Sequence, residues 1–429
     1  MSCCLPLPRL PGCGPRVFLV DLAVFKPPEE WRVSQDAVNK VWHDTQRYPP
    51  EDLAFQERVF ARSGLSRDRT YLPPWLNPQH CGGEPRTDLA AAEQEARLAM
   101  TGAVQALMDK TGLRPGDIDI LVTTCSIYCP TPSLASLLVN AFGMRPDVQS
   151  YSLGGMGCAN GVAAVTLLAD LLKARPNCNA LFVTTEATTP AYYRGTDRPR
   201  LVTNLLFRTG AAAVLLSNRR RMGARAKYAL HQCVRVHTGA RDEAYGAIHY
   251  SPDDQGLNGI FLGRNVVSEA SRGLTLALTK VAPHVLTWRQ LAAAAAAELR
   301  SRRARAKGRK GGKESKGGEG GKEGGGISTI RRFVLHAGGA KVLDGLGEAL
   351  QLDEGRLGPS RAVLRDYGNV SSSSTWYALA QVETEGGVRA RERVMQVGVG
   401  SGVKCGVNVW QALRDVHEVH PAWAHLRTP

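Results

Sequence analysis

Ten cysteines in 429 residues are too few and too scattered for a disulfide framework, which in small secreted scaffolds takes about 8–10% of the chain. A reducing compartment is the default. Cys125 and Cys129 are near neighbours, but no second pair stands at finger spacing, so no metal site is expected. Long apolar runs are missing as well: Val17–Phe25 is broken by Asp21 and Ala292–Ala297 is short, whereas a membrane-spanning helix needs about 18 or more apolar residues. The opening MSCCLPLPRLPGCG has proline and glycine where a secretory signal requires an unbroken apolar stretch. Neither a membrane span nor secretion is expected.

A hydrophobic share of 43% is enough to fill a large core. The length fits about three domains, or one duplicated α/β architecture. The net charge of +15 is partly local, because ten Lys or Arg against three Glu between Arg300 and Glu323 supply +7 of it. That stretch is low-complexity Gly, Lys, Arg and Glu, and it buries too little apolar surface to offset its ordering entropy. Residues 300–326 are therefore expected to form a disordered loop. The rest of the chain is ordinarily basic and shows no aromatic interleaving, so no nucleic-acid partner is expected. A polybasic patch for anionic lipid or nucleic acid, on a protein without catalysis, is the alternative use of that loop.

The chain opens with a β-rich run, RVFLVDLAVF, and a polar amphipathic stretch from Ser34 to Ser63 that reads as helical. After the Pro-rich Tyr71–His80 comes a long helix that stops at Gly112. Strand-like runs follow at 118–125, 148–153, 180–187 and 211–218, then at 229–239, 331–339, 360–369 and 391–402, with helical stretches between them. Two similar α/β halves are implied, each a mainly buried sheet with helices on its faces. The expected boundaries are a lead-in segment at 1–82, a first half at 83–225 and a second half at 226–429.

Three strand-to-helix junctions carry reactive side chains. In SYSLGGMGCANG a strand enters a glycine-rich turn and Cys158 opens an apolar helix. A thiol there meets the positive end of the helix dipole, which favours its thiolate. A buried cysteine after glycines is also a common packing residue. The third glycine of a dinucleotide fingerprint is replaced by Asn160, so no nucleotide cofactor is implied. His336 in FVLHAGG and Asn369 in DYGNVSSSSTW are each expected to end a strand. Taken singly, the histidine reads as a core residue and the asparagine with its serines as turn and cap chemistry.

Taken together, these motifs resemble the 3-ketoacyl-CoA synthases, condensing enzymes of very-long-chain fatty acid elongation in the thiolase superfamily. The similarity runs from Arg16 to about Leu413. It includes CSIYCPTPSLASLLVNAFGMR, YSLGGMGCANG, LVTNLLFRTGAAAVLLSN, VRVHTGARDEAY, LHAGG, DYGNVSSSSTWYALA and GSGVKC. The resemblance implies a five-layer αβαβα fold built from two duplicated halves. It also implies a homodimer, acyl-CoA and malonyl-CoA as substrates, no cofactor beyond their coenzyme A, and a place with the other elongase subunits at the endoplasmic reticulum membrane. Cys158 becomes the acyl-accepting nucleophile, and His336 with Asn369 the pair that handles malonyl-CoA by decarboxylative Claisen condensation. The backbone N–H of Cys158 with the turn Gly400, Ser401 and Gly402 is the candidate oxyanion hole. His237, Glu186 and Asn204 match the family pattern as supports.

The chain departs from that pattern in carrying Arg332 and Arg365 where the family usually has histidines and in the extra Gly/Lys loop, and with the similarity starting at Arg16 the usual N-terminal membrane helices are not expected in this sequence. A soluble type III polyketide synthase, which uses the same three residue types, is the close rival.

Overall fold

The computed structural model describes residues 16–427, apart from Arg47, Arg289, Leu291 and residues 293–328. The Gly/Lys-rich stretch at 300–326 lies outside the described residues.

Nine strands make one mixed sheet: β1 (Phe18–Val24), β2 (Ile120–Cys125), β3 (Gln149–Gly154), β4 (Asn179–Glu186), β5 (Gly210–Ser217), β6 (Tyr228–His237), β7 (Arg332–Leu335), β8 (Arg393–Gly400) and β9 (Lys404–Ala412). Their order is β7-β8-β9-β6-β1-β5-β4-β2-β3. β2, β4 and β5 are mostly apolar or β-branched and buried on both faces, as strands covered by helices on each side must be.

The duplication is visible in the order and direction of the strands. In the first set, β2 runs parallel to β3 and β4, and β5 is antiparallel to both β4 and β1. In the second, β7 runs parallel to β8, and β9 is antiparallel to both β8 and β6. Among the described residues only β3 lacks a counterpart. The sets meet where Phe18 and Leu19 of β1 pair with Ala229 and Tyr228 of β6. The β-rich run near the N-terminus thus lies at the centre of the sheet.

Five helices build the layers: α1 (Leu89–Thr111), α2 (Asn160–Ala174), α3 (Val266–Val285), α4 (Glu354–Tyr367) and α5 (Ser374–Glu385). α1 packs outside on β1, β4 and β5, and α3 packs outside on β6 and β9. α2 and α5 lie between, touching strands of both sets and each other, which gives the αβαβα order. α1 has the ends its sequence calls for, with Asp88 accepting from the Ala91 amide and Gly112 left-handed at φ 69°.

Several expectations are corrected. Residues 360–369 do not form a strand; most of them belong to α4. The buried residues Leu357, Ser360, Leu364 and Tyr367 recur at helical spacing, Asp353 caps the N-terminus, and Gly368 at φ 72° ends the helix. Asn369 therefore follows a helix, not a strand. The amphipathic stretch from Ser34 to Ser63 is two helices, Gln35–Asp44 and Pro50–Ala61, parted before the proline at the start of the second. β9 and the hairpin of Ile248–Pro252 with Asn258–Leu262 escaped the reading of the sequence.

Candidate active site

α2 and α5 cross at their N-termini, and that crossing assembles the site. A β-carbon on Gly161 would lie 1.7 Å from the Ser372 carbonyl oxygen, so only glycine permits the approach. The Trp376 indole N–H donates to the Gly161 carbonyl at 2.9 Å and locks it. Cys158 sits in the turn between β3 and α2, after Gly157, whose φ of 72° favours glycine. His336 follows β7, and Asn369 lies between α4 and α5.

The serine run after Asn369 connects these groups, and each hydroxyl has a distinct anchor. Ser371 Oγ lies 3.2 Å from Cys158 Sγ and 2.8 Å from Glu186 Oε2. Ser372 Oγ pairs with Thr184 Oγ1 at 2.6 Å, and Ser373 donates to the Thr184 carbonyl at 3.0 Å, which fastens the segment to β4. Ser374 Oγ lies 2.7 Å from His336 Nδ1 and donates to the Ser371 carbonyl at 2.8 Å. The Asn369 side-chain oxygen accepts from the Ser371 amide at 2.9 Å, while its NH2 reaches the Gly338 carbonyl at 3.4 Å. Ser371 holds φ 50°, a left-handed backbone uncommon outside glycine and concentrated at functional sites.

The Ser374 contact sets the His336 tautomer. While the hydroxyl donates to the Ser371 carbonyl, it meets Nδ1 as an acceptor, so the ring proton is on Nδ1 and Nε2 carries a lone pair. When the hydroxyl turns to donate to Nδ1, the proton is on Nε2. His336 is 4% exposed, and that burial drives its pKa down to about 4, so the ring is neutral near pH 7.

The expected favouring of the thiolate is also corrected. Crowding around Cys158 desolvates the sulfur and pushes its pKa up to about 12, against the helping hydrogen bond from Ser371. Cys158 stands before the first residue of α2, and the helix end does not overcome that desolvation. Glu186, 1% exposed, is likewise pushed up by burial; it accepts from the Ser126 and Ile127 amides and the Cys125 thiol.

Gly400 and Ser401 abut the nucleophile turn. A β-carbon on Gly400 would lie 2.6 Å from the Cys158 nitrogen, and one on Gly157 would lie 2.5 Å from that of Ser401. Gly402 and His237 face each other one step away, with His237 exposed at the end of β6. Asn204 makes a two-way bond with the Tyr193 backbone, at 2.9 and 2.7 Å, and so fixes a loop without touching the sulfur. Arg332 begins β7, with His336 just past the other end. The Arg365 guanidinium is taken up by Asp366 at 2.7 and 2.8 Å. Ser371 and Ser374 were missed as site residues; a run of serines after an asparagine looks like capping until the fold shows what each one reaches.

A second charged cluster lies apart from this site. Glu383, Glu418 and His420 converge as metal ligands would, but Lys227 Nζ sits among them, 2.6 Å from Glu383, 2.8 Å from Glu418 and 2.7 Å from Asp21. The ammonium is the cation there.

The layered sheet of two matching strand sets, with cysteine, histidine and asparagine gathered at the crossing of two central helices, defines a thiolase-like condensing fold. Its solved likenesses include a bacterial type III polyketide synthase, the 1,3,6,8-tetrahydroxynaphthalene synthase of Streptomyces coelicolor A3(2), with a TM-score of 0.71 at 22% identity, covering 92% of this chain and 99% of that one. The C-terminal type III polyketide synthase domain of a type I/III hybrid from Dictyostelium also scores 0.71, at 18% identity, covering 93% and 99%. Residues 14–303 match the family described as FAE1/Type III polyketide synthase-like protein, and residues 326–413 match the C-terminal domain of chalcone and stilbene synthases. Curated relatives include 3-ketoacyl-CoA synthase 5 of Arabidopsis thaliana, 37% identical over 93% of this chain and 78% of its own length. A probable 3-ketoacyl-CoA synthase 20 of Oryza sativa subsp. japonica is 38% identical over 93% of this chain and 74% of its own. The chain belongs to the 3-ketoacyl-CoA synthase family. No described helix is long and apolar enough to cross a membrane.

Proposed function

We propose that this protein joins an acyl-CoA to malonyl-CoA, releasing coenzyme A and carbon dioxide and forming a 3-ketoacyl-CoA. The observation that carries the reading is the convergence of Cys158, His336 and Asn369 through one serine segment, within a chain of this family.

Cys158 attacks the acyl-CoA thioester and holds the acyl group as an enzyme thioester. Gly400 lacks a side chain where one would crowd the Cys158 amide, and that amide with the Ser401 turn serves the tetrahedral oxyanion. Malonyl-CoA then loses carbon dioxide to leave an enolate. The Asn369 oxygen is held by the Ser371 amide, so its NH2 is the end that donates to the enolate. His336 joins it from Nε2 once Ser374 donates to Nδ1. Each well-placed donor is worth about 3 kcal/mol. The carbanion attacks the acyl thioester and frees Cys158.

Decarboxylation itself supplies the carbanion, so the cycle needs no metal or redox cofactor; coenzyme A arrives with the substrates. A small cavity of mixed lining, with Leu72, Ile127, Thr203, Asn204, Phe207 and Ile260 on its wall, borders the site. Ile127 donates its amide to Glu186, and Phe207 bridges to Asn369. The exposed middle of edge strand β3 suits pairing with a second copy, in keeping with a homodimer. By family resemblance the work is done with the other elongase subunits at the endoplasmic reticulum membrane.

Product analysis tests the reading. A single 3-ketoacyl-CoA two carbons longer than the acyl donor supports it. Pyrones or aromatic rings from repeated malonyl extension would assign the site to polyketide chemistry instead.

A further inference from the structure

We propose that Ser371 passes the proton of Cys158 to Glu186, so that the nucleophile is activated along a Cys158–Ser371–Glu186 line; the proposal deepens the condensing reading and rests on it. Ser371 Oγ is within hydrogen-bond distance of both partners, 3.2 Å from the sulfur and 2.8 Å from the carboxylate. A serine hydroxyl has one hydrogen and cannot donate to both. Two arrangements satisfy both contacts. In the first, the Cys158 thiol donates to Ser371 Oγ, and the Ser371 hydroxyl donates to the Glu186 carboxylate. In the second, the Ser371 hydroxyl donates to a thiolate, and a protonated Glu186 donates to Ser371 Oγ.

Two hops convert one into the other. The Ser371 proton moves to Glu186 as the Cys158 proton moves to Ser371, so one proton leaves sulfur and one negative charge moves from carboxylate to sulfur. The buried charge stays constant. Transfer to His336 would instead create a thiolate and an imidazolium together in a desolvated pocket, which is costly for two charges. Ser371 makes the one side-chain hydrogen bond to Cys158 Sγ among the described residues. During acyl transfer the new bond is Cys158 Sγ to the acyl carbon, the broken bond is that carbon to the coenzyme A sulfur, and the proton on Glu186 returns through Ser371 to the departing thiolate.

Burial raises both end groups above their ordinary values. The titratable groups facing the line are the thiols of Cys125, which donates to Glu186 Oε1 at 3.2 Å, and of Cys129, whose sulfur lies by Gly154, with His336 beyond Ser374. Among the described residues no lysine or arginine pairs with Glu186.

The proposal and a purely electrostatic role for Glu186 differ in sign. As a negative neighbour alone, Glu186 raises the Cys158 pKa, so Glu186→Gln would make the thiol more reactive. As the proton acceptor, its loss makes Cys158 less reactive.

The test is iodoacetamide alkylation of the full-length protein from pH 6 to 10, read as modification of the Cys158 peptide by mass spectrometry. It needs no acyl substrate. The expected result is a rate on the order of 100-fold lower in Ser371→Ala and Glu186→Gln, as for loss of a general base, with profiles displaced to higher pH. A Glu186→Gln rate at or above wild type overturns the proposal. If that variant fails to fold, a Ser371→Ala rate equal to wild type overturns it. Neither outcome touches the assignment of Cys158 as the condensing nucleophile, which is judged by condensation in Cys158→Ala.

Discussion

Gly161 and Ser372 lie so close that the space of one methyl group separates a working site from two helices forced apart, with 1.7 Å between the position of an added β-carbon and the serine carbonyl oxygen. The neighbour is backbone, held by β4 through Thr184 and Thr185, so it has no easy retreat.

Gly161→Ala is therefore expected to lower stability at the upper end of the ~1–3 kcal/mol that overpacking costs. Condensing activity should be lost with it, since Cys158 and Ser371 sit on opposite sides of the crossing. Thermal unfolding alongside a condensation assay checks this; unchanged values for both would mean that the crossing does not set the site.

Ser374→Ala removes the hydroxyl that, when it turns to donate to Nδ1, leaves the His336 proton on Nε2. Condensation is expected to fall by up to about 100-fold, the cost of one oxyanion donor, while acylation of Cys158 continues. Comparing the acyl-enzyme burst with steady-state product formation separates the two steps.

His336→Ala and Asn369→Ala should each stop condensation and retain acyl loading at least in part. Intact-protein mass spectrometry after incubation with acyl-CoA reads the loading. Complete failure to load in both variants would contradict the division of labour between the thiol and the malonyl-binding pair.

Much of this was legible in the sequence because it is local. Strands such as ALFVTTEA and AAAVLLSN announce themselves by composition, and Gly112 by its place after a long helix. The three reactive residues could be named because each sits in a short motif. Two things were not local. Residues 360–369 have the apolar content of a strand, and only the helical spacing from Leu357 to Tyr367, with Asp353 and Gly368 as its ends, decides for a helix. The state of Cys158 also depends on what crowds it. The helix end nearby argues for a thiolate, while desolvation from distant segments pushes the thiol up to about 12.

The Lys227 cluster gives a prediction for stability against pH. Burial raises the Glu383 carboxyl, but the charge of Lys227 and the bond from His420 outweigh it and hold the pKa at about 2, against an ordinary 4.5. A lowered pKa stabilises the fold above the ordinary value, so this contribution should be present near neutrality and be lost as pH falls from 4.5 towards about 2. Lys227→Met leaves Glu383 buried without its main partner and should cost about 3–5 kcal/mol. Urea unfolding at neutral pH measures the cost, and a loss below 1 kcal/mol would show that Glu383 does not depend on the lysine.

The most direct measurement follows labelled malonyl carbon into acyl product, with wild type and Cys158→Ala side by side across a series of acyl-CoA lengths. The wild type should form labelled 3-ketoacyl-CoA and carry an acyl mass on the Cys158 peptide, and the variant should do neither. Continued condensation by Cys158→Ala would contradict the account.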